Sequence, residues 1–142
     1  MGHSQFHLEL DEHASSDDIQ TVLRGLEQFN LGFAPPIGYR PLNIFLRNDA
    51  NQILGGLLGE TAWEWLHIDI VWIDGSARGQ GYGTRLITEA EQEARRRGCH
   101  SVHLDTMSFQ ALPFYERLGY TLWGTLDDHP TGHQRHFLRK KL

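Results

Sequence analysis

Trp72-Ile73-Asp74-Gly75-Ser76-Ala77-Arg78-Gly79-Gln80-Gly81-Tyr82-Gly83-Thr84-Arg85-Leu86 is the stretch on which the reading of this chain turns. Ahead of it, Trp63 to Ile73 reads as one long strand. In that strand Leu66, Ile68 and Ile70 share one face, and Trp65, His67, Asp69 and Val71 the other. Behind it, Leu86, Ile87, Ala90 and Ala94 recur at helical spacing as far as Gly98, a natural helix stop. A strand, a glycine-rich turn and an amphipathic helix in that order make an anion site. Glycines let the backbone turn tightly and approach a ligand, and the first helical turn presents amide hydrogens with no internal partner. The helix dipole adds positive potential at the same place. Arg78 adds a full charge at the mouth, so the natural ligand is a phosphate or pyrophosphate.

Three phosphate-binding designs can be compared with this turn. A Walker loop requires Gly-x-x-x-x-Gly-Lys-Ser/Thr, and the turn has no lysine. The dinucleotide fingerprint Gly-x-Gly-x-x-Gly fails from Gly79, where the last position is Thr84, and fails from Gly81, where it is Leu86. Asp105, at the end of the next strand, does sit where a ribose-binding acid would. However, that fingerprint normally follows the first strand of its unit, and several strands precede this one. The third design, Arg/Gln-x-x-Gly-x-Gly/Ala, is met by Arg78, Gly81 and Gly83.

Working outward, Phe6 to Leu10 alternates as a short strand, and Ser15-Ser16-Asp17-Asp18 offers N-caps for a helix bearing Ile19, Val22, Leu23, Leu26 and Phe29. Leu31 to Pro41 holds Gly32, Gly38, Pro35, Pro36 and Pro41, so it is irregular, either a packed cover or part of a binding site. Asn43 to Arg47 and Gln52 to Glu60 form a hairpin around Asn48-Asp49-Ala50-Asn51. Gly55, Gly56 and Gly59 mark a bulge or a close backbone approach in its second strand. Ser101 to Thr106 is a strand, Gln110 to Leu118 a short helix closed by Gly119, and Tyr120 to Leu126 and His133 to Leu138 are two final strands. This mixed order predicts an α/β (α+β) fold, one domain over 1–142, with a central twisted mixed sheet of six to seven strands flanked by helices.

The formal net charge of −5 argues against a general nucleic-acid binder, which carries a basic footprint. Arg95-Arg96-Arg97 and Arg139-Lys140-Lys141 read as a solvated helix end and a frayed terminus. No apolar run approaches membrane-spanning length, and no secretory leader is visible. With a single cysteine, Cys99, an internal disulfide is excluded, which fits a reducing cytoplasm. His129, His133 and His136 lack the spacing and companions of a zinc site, so no metal is expected. The loop Asp127 to His133 is acidic enough to suit a cationic amine, and reads equally as a solvated hairpin.

Downstream of the glycine turn stands Ala111-Leu112-Pro113-Phe114-Tyr115-Glu116-Arg117-Leu118-Gly119-Tyr120. Trp72 to Leu86 resembles the coenzyme A-binding motif of the GNAT family of N-acetyltransferases, and Ala111 to Tyr120 resembles that family's Ala-x-x-Phe-Tyr-Glu-x-x-Gly-Phe/Tyr segment. Two motifs in order, with a helix and strand between them, are far more specific than one. The resemblance covers Gln52 to the C-terminus. It implies direct transfer of an acetyl group from acetyl-CoA, as cosubstrate, to an amine of a small molecule or peptide. Homodimers are common in that family.

By resemblance, Trp72 and Ile73 bind the pantetheine arm through their backbone, and Arg78, Gly79, Gln80, Gly81, Gly83 and Thr84 hold the pyrophosphate. Ser108, Ala111, Phe114 and Arg117 complete the cofactor contacts. Many relatives carry an asparagine just before the second motif where this chain has Met107-Ser108-Phe109-Gln110, and Ser108 and Gln110 are the candidates to replace that contact. Tyr115 matches the tyrosine that protonates the departing sulfur, and reads otherwise as packed core. His67 is the candidate base, with Asp69 or Glu64 as a relay through water; a lone histidine on a sheet face also serves as a structural residue. Two other classes stay open: a noncatalytic acyl-CoA-binding module, and a dinucleotide-binding enzyme.

Overall fold

The computed structural model describes residues 5–142. Its contacts divide the chain into two compact units, Met1–Pro36 and Ile37–Leu142. The boundary falls inside the loop rich in proline and glycine, where regular structure is least supported.

The first unit contains helix α1, Ser16–Asn30. Ser15 is its N-cap: the side chain accepts a hydrogen bond from the Asp18 amide, and Asp17 and Asp18 place negative charge in the first turn. The rings of Phe29 and Phe33 meet at 5.3 Å. Phe6 to Leu10, expected as a strand, has no regular structure. Alternation alone is insufficient there, because a short strand gains its hydrogen bonds only from a partner.

The second unit is built on a six-stranded sheet. Its strands are β1 (Arg40–Arg47), β2 (Ile53–Ala62), β3 (Trp65–Ile73), β4 (Ser101–Met107), β5 (Thr121–Asp127) and β6 (Gln134–Lys141), ordered β1-β2-β3-β4-β6-β5. Only β3 and β4 pair in parallel; every other neighbour is antiparallel. A 3-10 turn, Gly75–Ala77, and helix α2, Tyr82–Arg96, make the crossover between the parallel pair. Helix α3, Leu112–Arg117, follows β4 and is shorter than the sequence suggests.

One face of the sheet packs under α2 and α3. Leu57, Leu66, Val102 and Leu138 from the strands and Ile87, Ala90 and Ala94 from α2 are almost wholly buried there. Each large aliphatic side chain so buried contributes about 1.5–3 kcal/mol. Glu91 of α2 is also buried, and is satisfied by the Tyr120 hydroxyl at 2.8 Å and the Lys140 ammonium at 2.9 Å. Lys140 is therefore structural rather than part of a frayed tail. Arg97 is likewise no solvated helix end. Its Nη1 donates to the carbonyls of Arg40 and Pro41 and to the Thr61 hydroxyl, tying the end of α2 to β1 and β2. Its Nε faces Glu93 at 3.6 Å, too far for a hydrogen bond.

The β2–β3 ladder contains the irregularity that matters most. Leu58 pairs with Ile70 and Gly59 with Ile68, so Asp69 is an extra residue in β3. Only glycine fits opposite this bulge, because a Cβ on Gly59 would collide with the His67 carbonyl oxygen. The bulge inverts the alternation beyond it. Val71 and Ile73, not Ile70, continue the buried face of Leu66 and Ile68, while Ile70 and Trp72 are half exposed. The even spacing read from the sequence is thus corrected at Asp69.

Candidate active site

Pairing between β3 and β4 covers only Trp65 to Ile68 against Ser101 to Leu104. Both strands continue, to Ile73 and to Met107, without pairing to each other. The sheet therefore forks, and backbone groups along the fork are left without a ladder partner. The direction of those groups follows from one bond. The Asp74 amide donates to the Leu54 carbonyl, which places Asp74 and, by antiparallel alternation, Trp72 toward β2. Val71 and Ile73 then present their amide and carbonyl groups to the fork. The Ile73 carbonyl accepts from Arg78 Nε at 2.8 Å, leaving its amide open. Trp72, expected to contribute backbone contacts, pairs with Gly56 of β2, and the Val71 backbone lies on the fork side.

At the mouth of the fork lies the N-terminus of α2. Its N-cap, Gly81, has φ of 82° and no capping side chain, and the first turn carries no acid. The contrast with α1, capped by Ser15 and two aspartates, is physical: one helix satisfies its own amides and the other leaves them free for an external anion. Gly79 also has positive φ, at 73°. Gly83 serves packing, since a Cβ there would press on the Phe114 ring at 3.3 Å. Asp74 caps the preceding 3-10 turn through the Ser76 hydroxyl and amide, and those bonds hold its carboxyl below the ordinary range. Gln80 Nε2 donates to the Ser76 carbonyl. Arg78 and Gln80 thus shape the loop whose amides form the cradle.

Two titratable groups flank the fork on opposite faces of the sheet. Tyr115 lies under α3 in the core cluster, with its ring edge-on to Phe114 and Tyr120. Burial, and secondarily the negative charge of Asp105, push its phenol up to about 12, so it stays protonated at neutral pH. His67 belongs to the other face. Its Nδ1 lies 2.7 Å from Glu60 of β2, and its ring stacks on His103 at 4.6 Å. A carboxylate on Nδ1 fixes the tautomer with hydrogen there and leaves Nε2 as the acceptor. His103 is pushed below the ordinary histidine value by burial and by the neighbouring His67.

The remaining expected residues fall in three groups. Asp69 is the exposed bulge residue, and its charge reaches Arg135, which holds Asp105 through two hydrogen bonds of 3.0 and 2.9 Å. Glu64 sits in the β2–β3 turn beside His100, at the end of β3 away from the fork. Ser108 is committed to Gln134, donating its amide to the carbonyl and accepting the amide of Gln134 on its hydroxyl. Gln110 accepts from the Met107 amide at 2.7 Å. Both therefore close the turn after β4. Ala111 and Phe114 pack on the core, and Arg117 is exposed in the last turn of α3. The Asp127 to His133 loop joins β5 to β6 at the fork end of the sheet, where Phe109 meets the His133 ring at 5.0 Å. Sequence reading missed Glu60, His103 and Arg135, because cross-strand partners depend on register.

The site thus combines a forked parallel pair, an uncapped helix N-terminus suited to an anion, and a protonated phenol. The model of the acetyltransferase (GNAT) family matches residues 7–120. Blasticidin-S acetyltransferase of Streptomyces morookaense is 38% identical over 131 residues, covering 89% of this chain and 93% of the relative. An acetyltransferase of Agrobacterium fabrum is 37% identical over 133 residues, covering 94% of this chain and 97% of the relative. The crystal structure of an acetyltransferase from Bacillus cereus superposes with a TM-score of 0.83 at 33% identity, covering 94% of this chain and 98% of that one. The chain belongs to the GNAT family and is an acetyl-CoA-dependent acetyltransferase.

Proposed function

We propose that this chain moves an acetyl group from acetyl-CoA directly to an amine of a small molecule, with His67 as base and Tyr115 at the leaving sulfur. The observation that carries the reading is the fork, with a carboxylate-oriented imidazole on one face and a protonated phenol on the other. The relative that acts on blasticidin S supports a small-molecule acceptor over a peptide.

The amides of Gly79, Gly81, Gly83 and Thr84, with the dipole of α2 behind them, hold the pyrophosphate. The backbone of Val71 and Ile73 holds the pantetheine arm and the acetyl carbonyl, and fixed donors there stabilise charge developing on that oxygen. His67 Nε2 accepts the proton of the attacking amine while Glu60 steadies the imidazolium through Nδ1. The new C–N bond forms as the C–S bond breaks. Tyr115 donates a hydrogen bond to the departing sulfur. With a pKa of about 12 it is a weaker acid than an ordinary thiol near 8.5, so it stabilises the thiolate rather than surrendering its proton outright. The expectation of a general acid is sharpened in that way.

A thiol-release assay over a panel of primary amines tests this, with calorimetric binding of acetyl-CoA measured in parallel. Amine-dependent release in the wild type, lost in His67→Ala with acetyl-CoA affinity retained, supports the reading. Binding of acetyl-CoA with no amine-dependent release from any member overturns it.

A further inference from the structure

One row of the sheet runs Glu60, His67, His103, Arg139 from β2 across β3 and β4 to β6. Beside this row, on the face that carries His67, a cavity of about 290 Å³ is lined by Trp65, His103, Trp123 and Arg139. Trp65 stands edge-on to His103 at 5.7 Å, and Trp123 rests against Phe137 at 5.7 Å. The cavity adjoins a larger one of about 600 Å³, which shares Trp65 and Arg139 and adds His100 and Lys141.

The polar groups of these walls differ in one respect. Arg135, on the same face of β6, is committed to Asp105, and Lys140, on the other face, to Glu91. The side chains of Arg139 and Lys141 enter no hydrogen bond or ion pair among the described residues. No acid among the described residues lines either cavity. A concave site with two indoles, an imidazole and unpaired cations is complementary to a flat, π-rich group bearing a negative charge. The smaller cavity, at the low end of ligand-site volumes, suits a single ring.

Register fixes how such a group stands to the reacting amine. Arg139 lies two strands from His67 in the same row, or about 10 Å at the usual strand spacing, and Trp65 two residues along β3, or about 7 Å. We propose that this aromatic and basic cavity is the acceptor's specificity site, so that the preferred substrate is an amine carrying a flat ring and a carboxylate. The inference rests on the acetyltransferase reading above, and adds to it the class of acceptor. The amine meets His67 at the fork, the ring lies against Trp65 and Trp123, and the carboxylate pairs with Arg139.

Three probe amines separate the parts: 4-(2-aminoethyl)benzoate, with ring and carboxylate; phenethylamine, with the ring alone; and 7-aminoheptanoate, with the carboxylate alone. The wild type should acetylate the first with kcat/KM at least tenfold above either control. Arg139→Gln should lower kcat/KM at least tenfold for 4-(2-aminoethyl)benzoate and leave phenethylamine within twofold. Trp123→Ala, at an exposed position that tolerates truncation, should weaken both ring-bearing amines and spare 7-aminoheptanoate. Acetyl-CoA affinity should be unchanged in both variants. Equal kcat/KM for the three amines in the wild type, or equal losses for all three in each variant, overturns the proposal while leaving the acetyltransferase reading intact. If none of the three is acetylated, calorimetric binding of 4-(2-aminoethyl)benzoate decides the cavity: binding weakened at least tenfold by Arg139→Gln sustains it, and binding indifferent to the change overturns it, while the acetyltransferase reading is judged by the wider amine panel.

Discussion

Glu60 determines what His67 can do at the fork. An imidazole alone on a sheet face exchanges tautomers and rotates, whereas a carboxylate 2.7 Å from Nδ1 holds one tautomer and leaves Nε2 as the acceptor. Glu60→Gln keeps a hydrogen-bonding group there but removes the charge that steadies the imidazolium. It is expected to lower kcat about tenfold with acetyl-CoA affinity unchanged, where His67→Ala should lower kcat about 100-fold or more, the range of a lost general base. Steady-state kinetics at saturating acetyl-CoA measures both, and a Glu60→Gln enzyme with wild-type kcat would reduce the pair to a structural contact. Tyr115→Phe should lower kcat at least tenfold, about 1.4 kcal/mol of barrier. Because Tyr115 keeps its proton until pH approaches about 12, the pH–kcat profiles of the wild type and this variant should have the same shape. A wild-type alkaline limb that disappears in Tyr115→Phe would show instead that the phenol ionises in the working range.

At the scale of elements, α2 carries the cofactor grip through its uncapped N-terminus. Gly81→Glu places a carboxylate on that end and forces a side chain into a backbone with φ of 82°, so two effects act together. Calorimetry should find acetyl-CoA binding weakened at least 100-fold; unchanged affinity would remove the pyrophosphate from this site. The bare cap was legible in the sequence because Arg78, Gly81 and Gly83 are local, and a turn of a few residues states its own geometry. Elements whose pattern ran uninterrupted were legible too, as with Leu86, Ile87, Ala90 and Ala94 in α2. The bulge was not, because Asp69 looks like any polar member of an alternating strand, and only the ladder against Gly59 reveals it as extra. The pairing of Glu60 with His67 was hidden for the same reason. They lie seven positions apart in the chain, around the Trp63–Glu64 turn, and a shift of one position in register would have aimed Glu60 at the core. Phe6 to Leu10 failed in the opposite direction, as a strand pattern without a strand.

For the whole molecule, the pH dependence of stability is set in part where the two histidines stack. His103 faces His67 by stacking, Trp65 by its edge, and the charges of Glu60 and Asp105. Burial comes first and His67 second in disfavouring the imidazolium, and together they outweigh the attraction of the two carboxylates, so the folded-state pKa lies below the ordinary 6.5. The unfolded chain therefore binds a proton at His103 more readily than the folded one does. Stability from this group is present above about pH 6.5 and is lost as pH falls toward and through the lowered folded value. Other groups titrate over the same range, so the test is a difference. Melting temperatures of the wild type and of His103→Gln, measured from about pH 8 down to about pH 5.5 on this histidine window, should converge at the acid end, with the wild type losing more. A wild type that loses no more than the variant would mean that the stacked pair accommodates the charge. The same measurement bears on activity, because an imidazolium at His103 would place a second positive charge against His67 and oppose the proton uptake on which the transfer depends.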